Sequence, residues 1–292
     1  MKIGIYSRSI QKEFFPKMQE ILDFFSAQSV ELHIHSNLAR QLDEQNFNIP
    51  SRIEFDDYEN LDSALDMMIS IGGDGTFLET VTFIRNRNIP ILGINSGRLG
   101  FLADIAPENI IDSLNEVFNK RYTLENRSLI ELNTSEPLNC DFNYALNDFT
   151  IRKSDKATLV KIHTWVNGEF LNSYWADGLI ISTPTGSTAY SLSVGGPIVV
   201  PETNNLIISP IASHNLTVRP LVVNADHEIT FHVESRTKTH VASLDARTFF
   251  FDKSMKFTVK KAPFYVKIIK IKGHSYFSTI RNKLMWGIDK RN

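Results

Sequence analysis

A change of rhythm near residue 122 constrains this fold more than any other feature of the chain. Before it, strand and helix signals alternate. "KIGIYS" and "VELHIH" read as strands, while Met18, Ile21, Leu22 and Phe25 fall at helical spacing behind Pro16, a residue suited to a first helical turn. "LDMMISI" reads as a buried strand, "TFLETVTFIRN" as the helix after it, and "IPILGIN" as a further strand. In "ENIIDSLNEVFNK", Ile110, Ile111, Leu114, Val117 and Phe118 make one apolar helix face. Alternating β and α elements predict a parallel sheet with covering helices.

After the change, strands dominate. "LVKIHTWV" and "EFLNSYW" flank Asn167-Gly168, a strong hairpin signal. "EITFHVES", "HVASLDA", "KFTVKK" and "FYVKIIKIKG" keep up a period-2 alternation, which predicts an antiparallel all-β domain. "SYFSTIRNKLMWGI" reads as a closing helix. The expected division is an α/β domain over residues 1–122 and a β-rich domain over 123–274, with 275–292 packing back on the first.

Composition limits the function classes. The 292 residues carry a formal net charge of −2, so no whole-molecule field recruits nucleic acid or a membrane. The single cysteine, Cys140, excludes an internal disulfide framework and suits a reducing, cytoplasmic setting. No apolar run approaches the ~20 residues of a membrane span. His33 and His35 are two apart on one strand without further ligands nearby in sequence, and are expected to be surface residues rather than a metal site.

Four stretches carry chemistry. "ISIGGDGTFLET" places Gly72, Gly73 and Gly75 around Asp74, between a strand and a helix. Backbone N–H groups in such a turn suit phosphate. The loop is neither a Walker A motif, lacking Gly-Lys-Ser/Thr, nor a dinucleotide fingerprint, since Leu78 replaces the third glycine. Asp74 reads either as the N-cap of a helix starting near Thr76 or as a general base held against a hydroxyl. "DGLIISTPTGSTAYSLSVGGPIV" is a strand followed by a hydroxyl-rich loop, in which Tyr190 and the apolar residues suggest a packed wall. Asn147 and Asp148 in "YALNDFTI" read as ligands for a ribose or base, or as an Asx turn. In "SPIASHNLTVRPLVV", His214 and Arg219 could bind anions, although a satisfied structural histidine is the usual finding.

Together, Gly72-Gly73-Asp74-Gly75-Thr76, Asn147-Asp148, the stretch from Asp177 to Pro197 and the segment from Pro210 to Pro220 resemble the NAD kinase family over most of the chain. The resemblance implies a Rossmann-like parallel α/β N-terminal domain, an antiparallel β C-terminal domain, and a homodimer or homotetramer. It implies ATP as phosphoryl donor, NAD as acceptor, and a divalent metal ion, Mg2+. Asp74 would be the catalytic proton acceptor, with Gly75 in the same pocket. Asn147, Asp148, Asp177, Thr188, Ala189, Tyr190, Ser191, Leu192, Ser193 and Ala212 would contact the dinucleotide. Three departures stand out. Asp148 replaces the family's usual glutamate, Asp245-Ala246-Arg247 stands where Asp-Gly-Gln is common, and Trp175 occupies a position linked to dinucleotide preference. Two other classes share parts of this pattern: a lipid or sugar kinase with the same glycine–aspartate loop, and a non-catalytic NAD(P) sensor.

Overall fold

The alternation in the first stretch becomes a parallel sheet. Strands β1 (Lys2–Tyr6), β2 (Glu31–His35), β3 (Arg52–Phe55), β4 (Met67–Gly72) and β5 (Ile91–Asn95) lie in the order β5-β4-β1-β2-β3, every pair parallel. Helices α1 (Phe15–Ser26), α2 (Ser36–Glu44), α3 (Asp74–Ile84) and α4 (Ile110–Phe118) connect or flank them. The predicted face of α1 is the buried one: Met18, Ile21, Leu22 and Phe25 join Ile5, Ile69 and Leu114 in one core. The strand order reverses between β1 and β4, and β4 delivers the glycine–aspartate loop at its carboxyl end, beside that switch point.

The remaining strands are β6 (Tyr122–Thr134), β7 (Tyr144–Ala145), β8 (Asp148–Arg152), β9 (Val160–Val166), β10 (Glu169–Ala176) and β11 (Gly178–Ser182); then, after the short helix α5 (Tyr190–Ser193), β12 (Asn205–Ile211), β13 (Leu221–Asn224), β14 (Ile229–Glu234), β15 (Thr239–Leu244), β16 (Arg247–Asp252) and β17 (Lys256–Ile271). One antiparallel sheet runs β13-β12-β11-β8-β15-β16; β10, β9, β14 and the start of β17 form another antiparallel layer. Phe149 of the first meets Phe231 and Phe257 of the second at ring distances of 5.6 and 5.5 Å. Asn167 and Gly168, at φ 51° and 81°, form the two-residue turn between β9 and β10. Positive φ at both positions matches the twist of the flanking strands.

The structure describes residues 1–97, 99–138, 140–154, 159–273 and 275–286 of this computed structural model. The chain divides into two units, Met1–Asn126 with Val266–Asn292, and Arg127–Tyr265. "KFTVKK" and "FYVKIIKIKG" form the single strand β17. Its start is antiparallel to β14, while Ile268 pairs in parallel with Ile91 of β5. Alternation identifies a strand but not its partner, which is a non-local matter. Helix α6 (Tyr276–Leu284) follows, started by a Ser275/Ser278 capping box. The end of the expected closing helix, from residue 287, lies outside the described residues. Among the described residues no helix is long and apolar enough to cross a membrane.

Candidate functional site

In the first unit, β4 is buried throughout, and the chain leaves it through Gly72 at φ 155°. Gly73 is the N-cap of α3, and no side-chain cap bond forms there. The cap reading of Asp74 is therefore corrected. Asp74 is the first helical residue, and a Cβ there points back past the helix start rather than at the helix's own N–H groups. Its carboxylate crosses to the segment after β5: Oδ2 accepts from the N–H of Phe101 (2.9 Å), and Oδ1 from Leu102 (2.9 Å) and Ala103 (3.2 Å). Gly100 makes this close approach feasible, because a Cβ there would lie 2.0 Å from Oδ1. At Gly73 and Gly75, by contrast, a Cβ would meet nothing within 4 Å, so the loop backbone faces open space.

The segment holding Asp74 is itself anchored. Gly100 N–H donates to the Ala103 carbonyl at 3.0 Å, and the adjoining Asp104 forms a buried ion pair with Lys270 near the end of β17. Helix α6 adds Lys283, whose Nζ lies 3.5 Å from Asp74 Oδ2 and 4.6 Å from the centre of the Phe101 ring. A carboxylate offers about four acceptor positions. Here three N–H donors and an ammonium surround it.

The other predicted residues sit in the second unit, arranged along β11. At its carboxyl end, Ser182 pairs with Asp148; at its start, Gly178 pairs with Ile211, next to Ala212. Four steps along the strand separate these ends by about 14 Å, at ~3.4 Å per residue. Asn147 and Asp148 belong to the first end, Asp177 and Ala212 to the second. Helix α5 spans the middle, with Ser191 Oγ 3.2 Å from Ser209 Oγ, and Ser209 pairs with Ile180. This suits an elongated ligand.

The hydroxyls of the loop divide by role. Thr183 Oγ1 donates to the Leu146 carbonyl (2.6 Å) and accepts from Gly186 N–H (3.1 Å); Ser187 exchanges bonds with Val199. Those hydroxyls hold the loop. Thr188 bonds back to Thr185, while Ala189 and Leu192 are half-buried and Ser193 is exposed. Tyr190, expected in a packed wall, is 38% exposed, because the inner side of the loop is already filled by Thr185, Ser187 and Ser191. Thr185, one of the loop hydroxyls but not among the residues the resemblance places at the ligand, has its Oγ1 buried with no hydrogen-bond partner. Ala212 is exposed in the left-handed region at φ 45°, a strained setting for a non-glycine residue. His214 is exposed, not a packed structural histidine. Asp177 pairs with Lys153 at 2.7 Å, and Trp175 is 52% exposed with Lys161 near its ring.

Asp245, in the Asp245-Ala246-Arg247 departure, has a bracing task. Half-buried in the two-residue turn between β15 and β16, at φ 52°, it has a carboxylate that accepts N–H bonds from Leu146 (2.9 Å), Asn147 (2.8 Å) and Asp148 (3.2 Å). Arg247 donates to the carbonyls of Phe142 and Tyr144. The turn thus braces the Asn147-Asp148 segment from behind. Burial first, then the neighbouring Asp245 carboxylate, pushes Asp148 up to about 7, against a lowering bond from Thr150 Oγ1. Burial also raises Asp245. The signal for this brace was the retained Asp at the head of a turn, a residue tolerant of positive φ.

His33 and His35 correct a second expectation. Both are buried, since β2 is an interior strand with both faces covered. His35 accepts from Asn37 N–H at the start of α2 and packs edge-on against Tyr6 and Phe55. His33 lies with Glu31 and Asp62 in the one His/Cys/Asp/Glu cluster of metal-binding geometry among the described residues. The ammonium of Lys2, 2.8 Å from Asp62 and 3.2 Å from Glu31, supplies the cation there.

Fold and site together define a class: a two-unit kinase fold, parallel α/β then antiparallel β, with a glycine–aspartate loop in place of a Walker motif. Residues 3–122 match the ATP-NAD kinase N-terminal domain, and residues 146–271 the ATP-NAD kinase C-terminal domain. The chain belongs to the NAD kinase family. An NAD kinase of Flavobacterium johnsoniae is 45% identical over 295 residues, and one of Cytophaga hutchinsonii 42% over 293, each covering 100% of both chains. Among solved structures, yeast NADH kinase complexed with NADH is similar with a TM-score of 0.89 at 21% identity, over 99% of this chain and 88% of that one. An Archaeoglobus fulgidus NAD kinase in complex with ATP follows with a TM-score of 0.72 at 24% identity, over 98% and 99%. At these identities the likeness is one of fold.

Proposed function

We propose that the chain transfers the γ-phosphoryl group of ATP to the 2′-hydroxyl on the adenosine ribose of NAD, giving NADP. The observation that carries this reading is the Asp74 carboxylate, oriented by three backbone N–H donors beside an open glycine loop at the switch point of a parallel sheet. Full-length identity to NAD kinases supports the choice of substrates. Asp74 accepts the hydroxyl proton as the oxygen attacks phosphorus in line, and the glycine-loop N–H groups offset charge on the transferred group. Gly75 lines that pocket. Asn147, Asp148, Asp177, Ala212 and the run Thr188, Ala189, Tyr190, Ser191, Leu192 and Ser193 hold the dinucleotide. Ser191 and Asp148, both buried, contribute mainly by shaping their segments.

The implied Mg2+ does not find a protein ligand set at Asp74. The carboxylate is surrounded by donors, and no described acidic cluster includes it. Magnesium fits as the companion of the ATP phosphates, and no step is routed through it. The protein is proposed to act in the cytoplasm as a homodimer or homotetramer.

Incubation with ATP, magnesium and NAD, with NADP measured enzymatically, tests the reading. Asp74→Asn keeps the shape and removes the base, and is expected to lower kcat by at least ~10²-fold. Near-normal NADP formation by that variant would remove Asp74 from the role. Phosphorylation of a lipid or sugar without NADP formation, or tight NAD binding without turnover, would favour the competing classes.

A further inference from the structure

We propose that Lys283 of helix α6 is a further catalytic residue: an ammonium that rests on the Asp74 carboxylate and passes to the transferred phosphoryl group when ATP binds. The inference rests on the phosphoryl-transfer reading above.

Three observations support it. First, Asp74 cannot take a substrate proton while all its acceptor positions are engaged. The three N–H bonds, at 2.9–3.2 Å, come from backbone that Gly100 and the buried Asp104–Lys270 pair hold in place. The Lys283 contact is longer, at 3.5 Å, and lies on Oδ2, the oxygen with a single N–H donor. It is the contact that can yield.

Second, Lys283 has a buried base and a partly exposed end. Thr279 and Ile280 bury one face of α6, and the ammonium lies over the Phe101 ring, yet the side chain is 32% exposed. Third, the loop lacks the lysine that a Walker motif would supply to the donor phosphates, and a carboxylate next to a phosphoryl group needs a nearby positive charge. Lys283 brings that charge from the far end of the chain to Asp74, the residue between Gly73 and Gly75.

In the step itself, the ribose 2′-oxygen forms a bond to the γ-phosphorus and the bond from that phosphorus to the β,γ-bridging oxygen breaks. ADP leaves with the electron pair, and the hydroxyl proton passes to Asp74. Lys283 remains protonated throughout and binds the equatorial oxygens. Its departure from Oδ2 opens the acceptor position that the proton needs.

The test uses the full chain with Lys283→Met, which keeps the apolar stem on Phe101, and Lys283→Arg, which keeps the charge. With Mg·ATP and NAD, Lys283→Met is expected to lose about 10²-fold in kcat. Its ATP dissociation constant, measured by calorimetry, should rise about 10-fold, with KM for NAD changed less than about 2-fold. Lys283→Arg should recover most of both losses, and thermal melts of the two variants should match the parent. Parental kcat and ATP affinity in Lys283→Met would overturn the proposal. So would equal losses in both variants with lowered melting temperatures, which mark a structural role. If the parent chain forms no NADP at all, the function reading fails by itself. The ATP affinity of Lys283→Met still decides whether Lys283 meets the donor phosphates.

Discussion

At Asp74 a single side chain links the local sequence to a distant segment. Its carboxylate is oriented by residues 101–103, and Gly100 is the condition for that contact. Gly100→Ala would place a methyl group against Oδ1. A displacement of about 1 Å at a reacting group costs on the order of 10²-fold in rate, and that loss in kcat is expected here. Gly97→Ala, where a Cβ meets nothing within 4 Å, should stay within about 2-fold of the parent. Steady-state NADP formation by the pair checks the contact; equal behaviour of the two variants would refute it. Asp74 itself was visible in the sequence as cap or base. What separated the two readings was its hydrogen-bond partners, which lie 27 to 29 residues away.

Elements were legible where a local rule forces them. The helical stripe of α1 and the Asn167-Gly168 turn appear where spacing and turn chemistry put them. The burial of β2 was not legible, because an alternating strand looks half-exposed until its neighbours cover both faces. The pairing of β17 with β5 has the same character, and it has an energetic consequence. It brings Lys270 to Asp104, both nearly without solvent contact. Lys270→Met leaves a buried carboxylate unpaired and should destabilise the first unit by about 3–5 kcal/mol. Adding Asp104→Leu should recover most of that loss. Urea melts of the single and double variants measure it, and a neutral single variant would show that the pair does not anchor this segment.

For the whole molecule, stability should carry the signature of Asp148. Its folded-state value, about 7, stands above the ordinary 3.8, so the folded protein binds that proton more tightly than the unfolded chain. The resulting stabilisation is complete below the unfolded value and is lost as pH rises toward 7. At about 1.4 kcal/mol per unit this amounts to a few kcal/mol. Between pH 5 and pH 8 the parent should therefore lose more stability than Asp148→Asn in denaturant melts. Parallel losses would mean that Asp148 stays ionised across the range. The sequence by itself determined the class of this molecule: period 3.6 and period 2 are local properties, as are glycine turns and hydroxyl-rich loops, and four ordered motifs carried the family resemblance. Tertiary structure alone decided which groups face one another. Asp245 behind Asn147, Asp104 on Lys270 and Lys283 against Asp74 are contacts between residues far apart in the chain, and side-chain chemistry leaves many such pairings open until the backbone is folded.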